Sequence, residues 1–191
     1  MSRPPRRGAG SVRIIGGRWR GTRLPVAAVA GLRPSADRVR ETLFNWLMPA
    51  LPGARVLDVY AGTGALGLEA LSRAAAAATL VERDAGLVAS LRATAQRLPG
   101  GDAAEIVQAD ALAWMRQAAV EGRRYDIAFL DPPFAAGLWA PAIDALLPLL
   151  EHDAWLHVEA GKGSMPAPPA GWRVHRHGHT REVDYQLWRA G

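Results

Sequence analysis

The chain has 191 residues, no cysteine and a net charge of +5. That length suits one domain with a small extension. The missing thiols exclude disulfides and cysteine metal sites, and no apolar run approaches the ~20 residues that cross a bilayer. The charge is uneven: residues 1–40 hold ten arginines against one acid, Asp37, while the remainder is net acidic. A GC-rich composition explains Arg in place of Lys, Lys162 being the only lysine, but not the concentration of charge at one end. A basic segment of this kind points to nucleic acid, with a solvated tail or a transit peptide as weaker readings.

Residues 1–10 are Arg, Pro, Gly and Ser without an apolar period and read as disordered. Arg13 to Ile15, Gly16-Gly17 and Thr22 to Val26 read as a small hairpin. Ser35 is placed to cap a helix carrying Val39, Leu43, Trp46 and Leu47 at helical spacing, which Pro49 and Pro52 stop. Strands and helices then alternate. Strands are expected over 55–59, 79–82, 104–108, 126–130 and 154–159, with helices over 65–75, 85–98, 111–119 and 140–150 between them. Residues 172–176 and 183–188 close the chain as an antiparallel hairpin. The pattern predicts an α/β fold: a doubly wound, mostly parallel seven-stranded sheet with helices on both faces and a small basic N-terminal extension. The division expected is a basic arm over 1–34 and a main domain over 35–191. In such sheets ligands bind beyond the carboxyl ends of the strands, so the informative residues should follow each strand.

The first of these strands runs into "VLDVYAGTGALGLEA", where Gly62, Gly64 and Gly67 satisfy G-x-G-x-x-G. Glycines there permit a tight turn and close approach of a ligand. Glu82 ends the next strand, 20 residues after Gly62, where an acid can bind ribose hydroxyls. Nucleotide dehydrogenases and adenosyl-methionine enzymes share both features. Asp58 helps to separate them. A carboxylate there repels a pyrophosphate but suits a cationic methionine moiety, although it also fits a loop-capping role. Asp110 is placed to accept from an adenine amino group and equally to cap the following helix; the two roles are compatible.

The fourth strand ends in Asp131-Pro132-Pro133-Phe134. Prolines have no N–H, so Pro132 and Pro133 present only carbonyls on a stiff backbone. Asp131 adds a carboxylate, and Phe134 a flat face on which a base can stack. The group such a set fits is planar and bears an NH₂. The plainer alternative is a Pro-Pro turn leaving the sheet.

These stretches carry a resemblance. "DPPF" resembles the [D/N]-P-P-[F/Y/W] motif of methyltransferases that act on exocyclic amino groups, and "VLDVYAGTGALGLEALSR" their cofactor loop. "GGRWRGTRL" followed by "RPSADRVRETLFNWL" is similar to the N-terminal signature of the bacterial 16S rRNA guanine-N2 methyltransferases. The C-terminal "GHTREVDYQLWR" matches that family only loosely. The resemblance implies a Rossmann-like class I methyltransferase that moves a methyl group from S-adenosyl-methionine to guanine N2. The target would be 16S rRNA or the small ribosomal subunit. It implies cytoplasmic action, without a membrane, by a chain expected to be monomeric. Asp131, Pro132, Pro133 and Phe134 are then the catalytic set. Asp58, Tyr60, Gly62, Gly64, Glu82, Asp110 and Ala111 are the cofactor set.

On that reading Arg6, Arg7, Arg13, Arg18, Arg20, Arg23 and Arg33 bind RNA phosphates, with Arg3 beside them. Trp19 is read as packing in the hairpin, with stacking on a base as the alternative. Arg33, Arg38 and Arg40 are placed to line the RNA entrance, Arg40 and Glu41 alternatively to form structural pairs. His175, His177 and His179 form H-x-H-x-H, but no cysteine or carboxylate cluster accompanies them, so no metal site is expected. The rivals are an adenine-N6 or glutamine-amide methyltransferase, a nicotinamide oxidoreductase, and an RNA-binding assembly factor without turnover.

Overall fold

The computed structural model of the chain describes residues 11–26, 37–132 and 138–191. The N-terminal ten residues and the proposed Ser35 cap lie outside that range. A short hairpin comes first, β1 (Ser11–Arg13) with β2 (Arg23–Pro25), followed by α1 (Asp37–Leu47). The alternating region runs β3 (Arg55–Asp58), α2 (Ala65–Ser72), β4 (Ala77–Glu82), α3 (Ala85–Arg97), β5 (Ala104–Gln108), α4 (Ala111–Val120), β6 (Tyr125–Leu130), α5 (Trp139–Leu146) and β7 (Leu150–Gly161). The closing strands are β8 (Trp172–His179) and β9 (Val183–Ala190). Seven strands form one sheet in the order β5-β4-β3-β6-β7-β9-β8. The first five are parallel, and β9 is antiparallel to both of its neighbours. The strand order reverses between β3 and β6, and in such sheets ligands bind at the carboxyl ends of the strands beside this switch point.

The sheet is covered on both sides. The β1–β2 hairpin, α1, α2 and α3 bury Ile14, Trp19, Phe44, Leu68 and Leu91 against one face, together with Val56, Leu80 and Phe129 from the strands. Helices α4 and α5 bury Met115, Ile143 and Leu146 against the other, with Leu57, Val81 and Leu130. Alternate strand residues thus enter opposite cores, and interior strands read as continuous apolar runs. Side-chain caps start two of the helices: Asp84 accepts from Leu87 N–H (2.9 Å) on α3, and Asp110 from Ala113 N–H (3.0 Å) on α4.

Two expectations change. The helix expected over 140–150 ends at Leu146, continues as a 3₁₀ turn at Leu147–Leu149, and gives way to β7 at Leu150. Pro148 has no N–H for the α-helical ladder, and its ring clashes with the preceding turn. Arg40 does not line an entrance, nor does it pair with Glu41, which is exposed. It is fully buried, donating to Asp37 Oδ1 (2.7 Å) and Arg13 O (3.0 Å) and lying 3.6 Å from Glu69 Oε2. Its position on α1 falls on the same face as Leu43, Phe44 and Leu47, so the chain carries a charge into the interface and pairs it there with Asp37 and Glu69.

The hairpin is bound into this interface. Glu69, buried on α2, accepts from Ile15 N–H (2.7 Å) and Gly16 N–H (2.8 Å) and pairs with Arg73 (2.7 Å). Ser72 Oγ donates to Gly16 O (2.6 Å) and accepts from Trp19 N–H (2.9 Å). Trp19 is a packing residue: it is buried, and its indole donates to Pro99 O (3.1 Å). Gly17 has φ +74°, and a Cβ there would lie 1.9 Å from Ser72 O, so only glycine allows this approach.

Candidate active site

Strands β3 to β7 end together at one edge of the sheet, and their terminal residues build the site. Asp58 ends β3, buried, with Oδ2 accepting from Gly67 N–H (2.9 Å) in the first turn of α2. The loop between them turns through Gly62 (φ +53°) and Gly64 (φ +76°). A Cβ on Gly64 would lie 2.4 Å from Leu91 Cδ2, so the loop packs flush on α3, and residues 61–64 are buried. Glu82, ending β4, spans this loop and the next. Oε2 accepts from Gly62 N–H (2.9 Å) and Oε1 from Asp84 N–H (2.8 Å).

Asp110 follows β5. It caps α4 and is exposed, so the capping role is present and leaves part of the carboxylate open. Tyr60 faces it: burial and the Asp110 charge hold the phenol above its ordinary pKa, against Arg83. Ala111 is buried at the start of α4. Asp131 and buried Pro132 follow β6 directly. Pro133 and Phe134 lie outside the described residues.

Acid dominates the electrostatics. Burial raises the Asp58 pKa to about 7 against the Gly67 N–H, with the Glu82 charge adding to the rise. Asp131 is held well above the ordinary carboxylate range, first by burial, then by the charges of Glu159 and Asp58. A like-charged, partly dry cluster of this kind suits a cation or an amine donor and opposes a pyrophosphate.

Sequence reading missed Glu159. It sits near the end of β7, 5% exposed. The signal was a lone acid closing the apolar run "WLHVEA", but its neighbours follow only from strand register.

The predicted basic residues divide. Arg13, Arg18, Arg20 and Arg23 are exposed on the hairpin, and Arg38 on α1. Arg13 pairs with Asp37 (3.4 Å), and Arg18 lies 4.5 Å over the Trp19 ring. Arg3, Arg6, Arg7 and Arg33 lie outside the described residues. Of the three histidines, His175 packs edge-on to Trp155 (4.9 Å) at an irregularity in β8, while His177 and His179 are exposed. Among the described residues no group of three His, Cys, Asp or Glu is arranged to hold a metal ion.

The family model described as "Conserved hypothetical protein 95" matches residues 12–189. Ribosomal RNA small subunit methyltransferase D of Escherichia coli K12 is 44% identical over 196 residues, covering 99% of this chain and 95% of that protein. The chain belongs to the ribosomal RNA small subunit methyltransferase D family. The member from Haemophilus influenzae is 40% identical over 183 residues, 94% of each chain. The solved structure of Escherichia coli yhhF, described as a methyltransferase, matches with a TM-score of 0.84 at 44% identity, covering 95% of this chain and 98% of that one. The match to methyltransferase D extends through the N-terminal hairpin as well as the sheet.

Proposed function

We propose that this protein transfers the methyl group of S-adenosyl-L-methionine to the exocyclic N2 of a guanine in 16S rRNA. The observation that carries the reading is the placement of Asp131 and Pro132 at the end of β6, beside Asp58 and the glycine loop. Family membership supports rRNA as the substrate. The residues present fit the cofactor: Gly62 and Gly64 carry no side chain to hold a ligand off the backbone of the turn, and Asp58 offers a carboxylate to a cation. Glu82 is assigned to the ribose, Asp110 to the adenine amino group, and Tyr60 and Ala111 to the walls around the base. The cofactor supplies an electrophilic methyl group on a cationic sulfur.

The chain's own residues address the nucleophile. The lone pair of an aromatic amine is delocalised into the ring. Asp131 and the Pro132 carbonyl accept its two N–H bonds, which draws nitrogen toward tetrahedral geometry and aims the lone pair at the methyl group. The same acceptors stabilise the positive charge that grows on nitrogen. Asp131 takes up a proton after the methyl arrives, when the nitrogen has become acidic. Phe134 is assigned to stack on a base lifted out of its helix. Arg6, Arg7, Arg13, Arg18, Arg20, Arg23 and Arg33 are assigned to phosphates, and positioning rather than metal chemistry does the rest.

The test is methyl transfer from labelled cofactor to small ribosomal subunits lacking native methylation, with naked rRNA, DNA and ribosomal protein alongside. Label on the rRNA, lost with Asp131→Ala, is expected. Label on adenine or protein would replace the substrate, and tight cofactor binding without transfer would favour an assembly factor.

A further inference from the structure

The amine-gripping motif at the end of β6 serves adenine and guanine alike, so something else must choose the base. The row beside it has the right chemistry. Register pairs Leu130 of β6 with Val158 of β7, so the next residues, Asp131 and Glu159, lie side by side at the carboxyl end. Phe129 pairs with His157, which puts Asp131 and Glu159, each two residues further on, on that same face. Across β9, Glu159 pairs with Tyr185. Tyr185 is buried and fixed from two sides. Its ring stacks on Trp46 at 5.6 Å, and Gly178 of β8 faces it so closely that a Cβ there would lie 2.4 Å from the phenol oxygen. Glu159 therefore stands in a rigid row between the proposed methyl-acceptor grip and an aromatic wall.

His157, the nearest imidazole along β7, brings no positive charge. Burial pushes its pKa down to about 4, against the contact of Nδ1 with Gln186 O (3.1 Å). The Glu159 charge adds to the rise of the Asp131 pKa, which agrees with their being neighbours.

The two purines differ along the edge that enters such a site. Guanine carries N1–H next to its N2 amino group, two donor groups in a row. Adenine presents an unprotonated N1 next to its N6 amino group. A carboxylate beside the amine-gripping acceptors completes a bond to guanine and opposes the lone pair of adenine. The geometry points to Glu159 as the specificity residue that accepts guanine N1–H while Asp131 and the Pro132 carbonyl hold N2. This deepens the guanine-N2 reading and rests on it.

The experiment exchanges the donor at N1. 2-Aminopurine keeps the 2-amino group but has an acceptor at N1. Small-subunit rRNA is built by ligation with guanine or 2-aminopurine at the position where wild-type methylation is mapped, and assembled into particles. Single-turnover transfer is then measured. The wild type is expected to favour guanine by about 10²-fold, because an unprotonated N1 turns a lone pair toward the Glu159 oxygen where guanine offers a donor. In Glu159→Gln the amide donates to the 2-aminopurine N1, so the preference falls below about tenfold. Loss of O6 in the analogue affects both enzymes alike and cancels in the comparison.

An unchanged preference in Glu159→Gln overturns the proposal, whatever its absolute rate. Should the glutamine variant not fold, Glu159→Asp withdraws the oxygens by one methylene. It is expected to slow guanine transfer at least tenfold more than 2-aminopurine transfer, and equal losses on both bases overturn the assignment. If the wild type places no methyl on any guanine N2, the underlying reading fails instead, before any variant is compared.

Discussion

Asp58 is pulled two ways. The Gly67 N–H favours its charged form and burial favours the neutral one, and burial prevails, with the pKa at about 7. A carboxyl raised above its unfolded value contributes stability that is present at low pH and lost as pH rises through about 7. Asp58→Asn keeps an oxygen for Gly67 and removes the titration. It should therefore stabilise the unliganded protein relative to wild type at about pH 8.5 and much less at about pH 5, read from Tm at both. The sign reverses for ligand binding. A cation needs the charged carboxylate, so affinity for the cofactor should rise from about pH 6 to pH 8 and flatten in Asp58→Asn. Calorimetry that finds pH-independent binding in the wild type contradicts the placement of a cationic group beside Asp58. At Asp131, replacement by Ala should lower kcat about 10²–10³-fold, the cost of removing one transition-state acceptor, with cofactor affinity retained. Asp131→Asn, which keeps one acceptor oxygen, should lose less.

Helix α2 joins the cofactor loop at its start to the basic hairpin along its length. Glu69 is the joint, binding two hairpin N–H groups and two arginines from inside the protein. Glu69→Gln removes the buried carboxylate that Arg40 and Arg73 share and should cost roughly 3–5 kcal/mol in urea unfolding. The periodic pattern located α1 and α2 but did not reveal this joint, because Glu69 lies 54 residues from Ile15 and Arg40 lies 27 from Arg13. Contacts at that separation belong to the tertiary fold, and local patterning treats such charges as solvated. On the outer side of the hairpin, replacing Arg18, Arg20 and Arg23 together by Ala should raise KM for RNA far more than it lowers kcat. It should also flatten the salt dependence of binding, by roughly 0.7–0.9 in log–log slope for each phosphate these arginines neutralise. An unaltered salt slope would place the RNA elsewhere.

Across the whole molecule, the alternation of strands and helices was enough to predict the sheet, because each strand's apolar run and each helix's period repeat the same unit. The residues after β3, β4, β5 and β6 were therefore legible as a site. Glu159 was not, since only pairing register puts β7 beside β6. Nor did composition reveal how far the arginine-rich start is built into the core: Val12, Ile14, Trp19 and Leu24 are all buried there. Fully burying a side chain of this kind contributes roughly 1.5–3 kcal/mol, so four approach the ~5–15 kcal/mol that hold a domain together. Deleting residues 1–26 should thus unfold or aggregate the protein rather than merely weaken RNA binding, which circular dichroism and light scattering would show. The central claim is the atom that receives the methyl group. Digesting wild-type-treated 16S rRNA and separating the methylated nucleosides by mass spectrometry against authentic standards decides it. N2-methylguanosine, absent with Asp131→Ala, is the predicted result; N1- or N7-methylguanosine, or a methylated adenosine, would contradict the account.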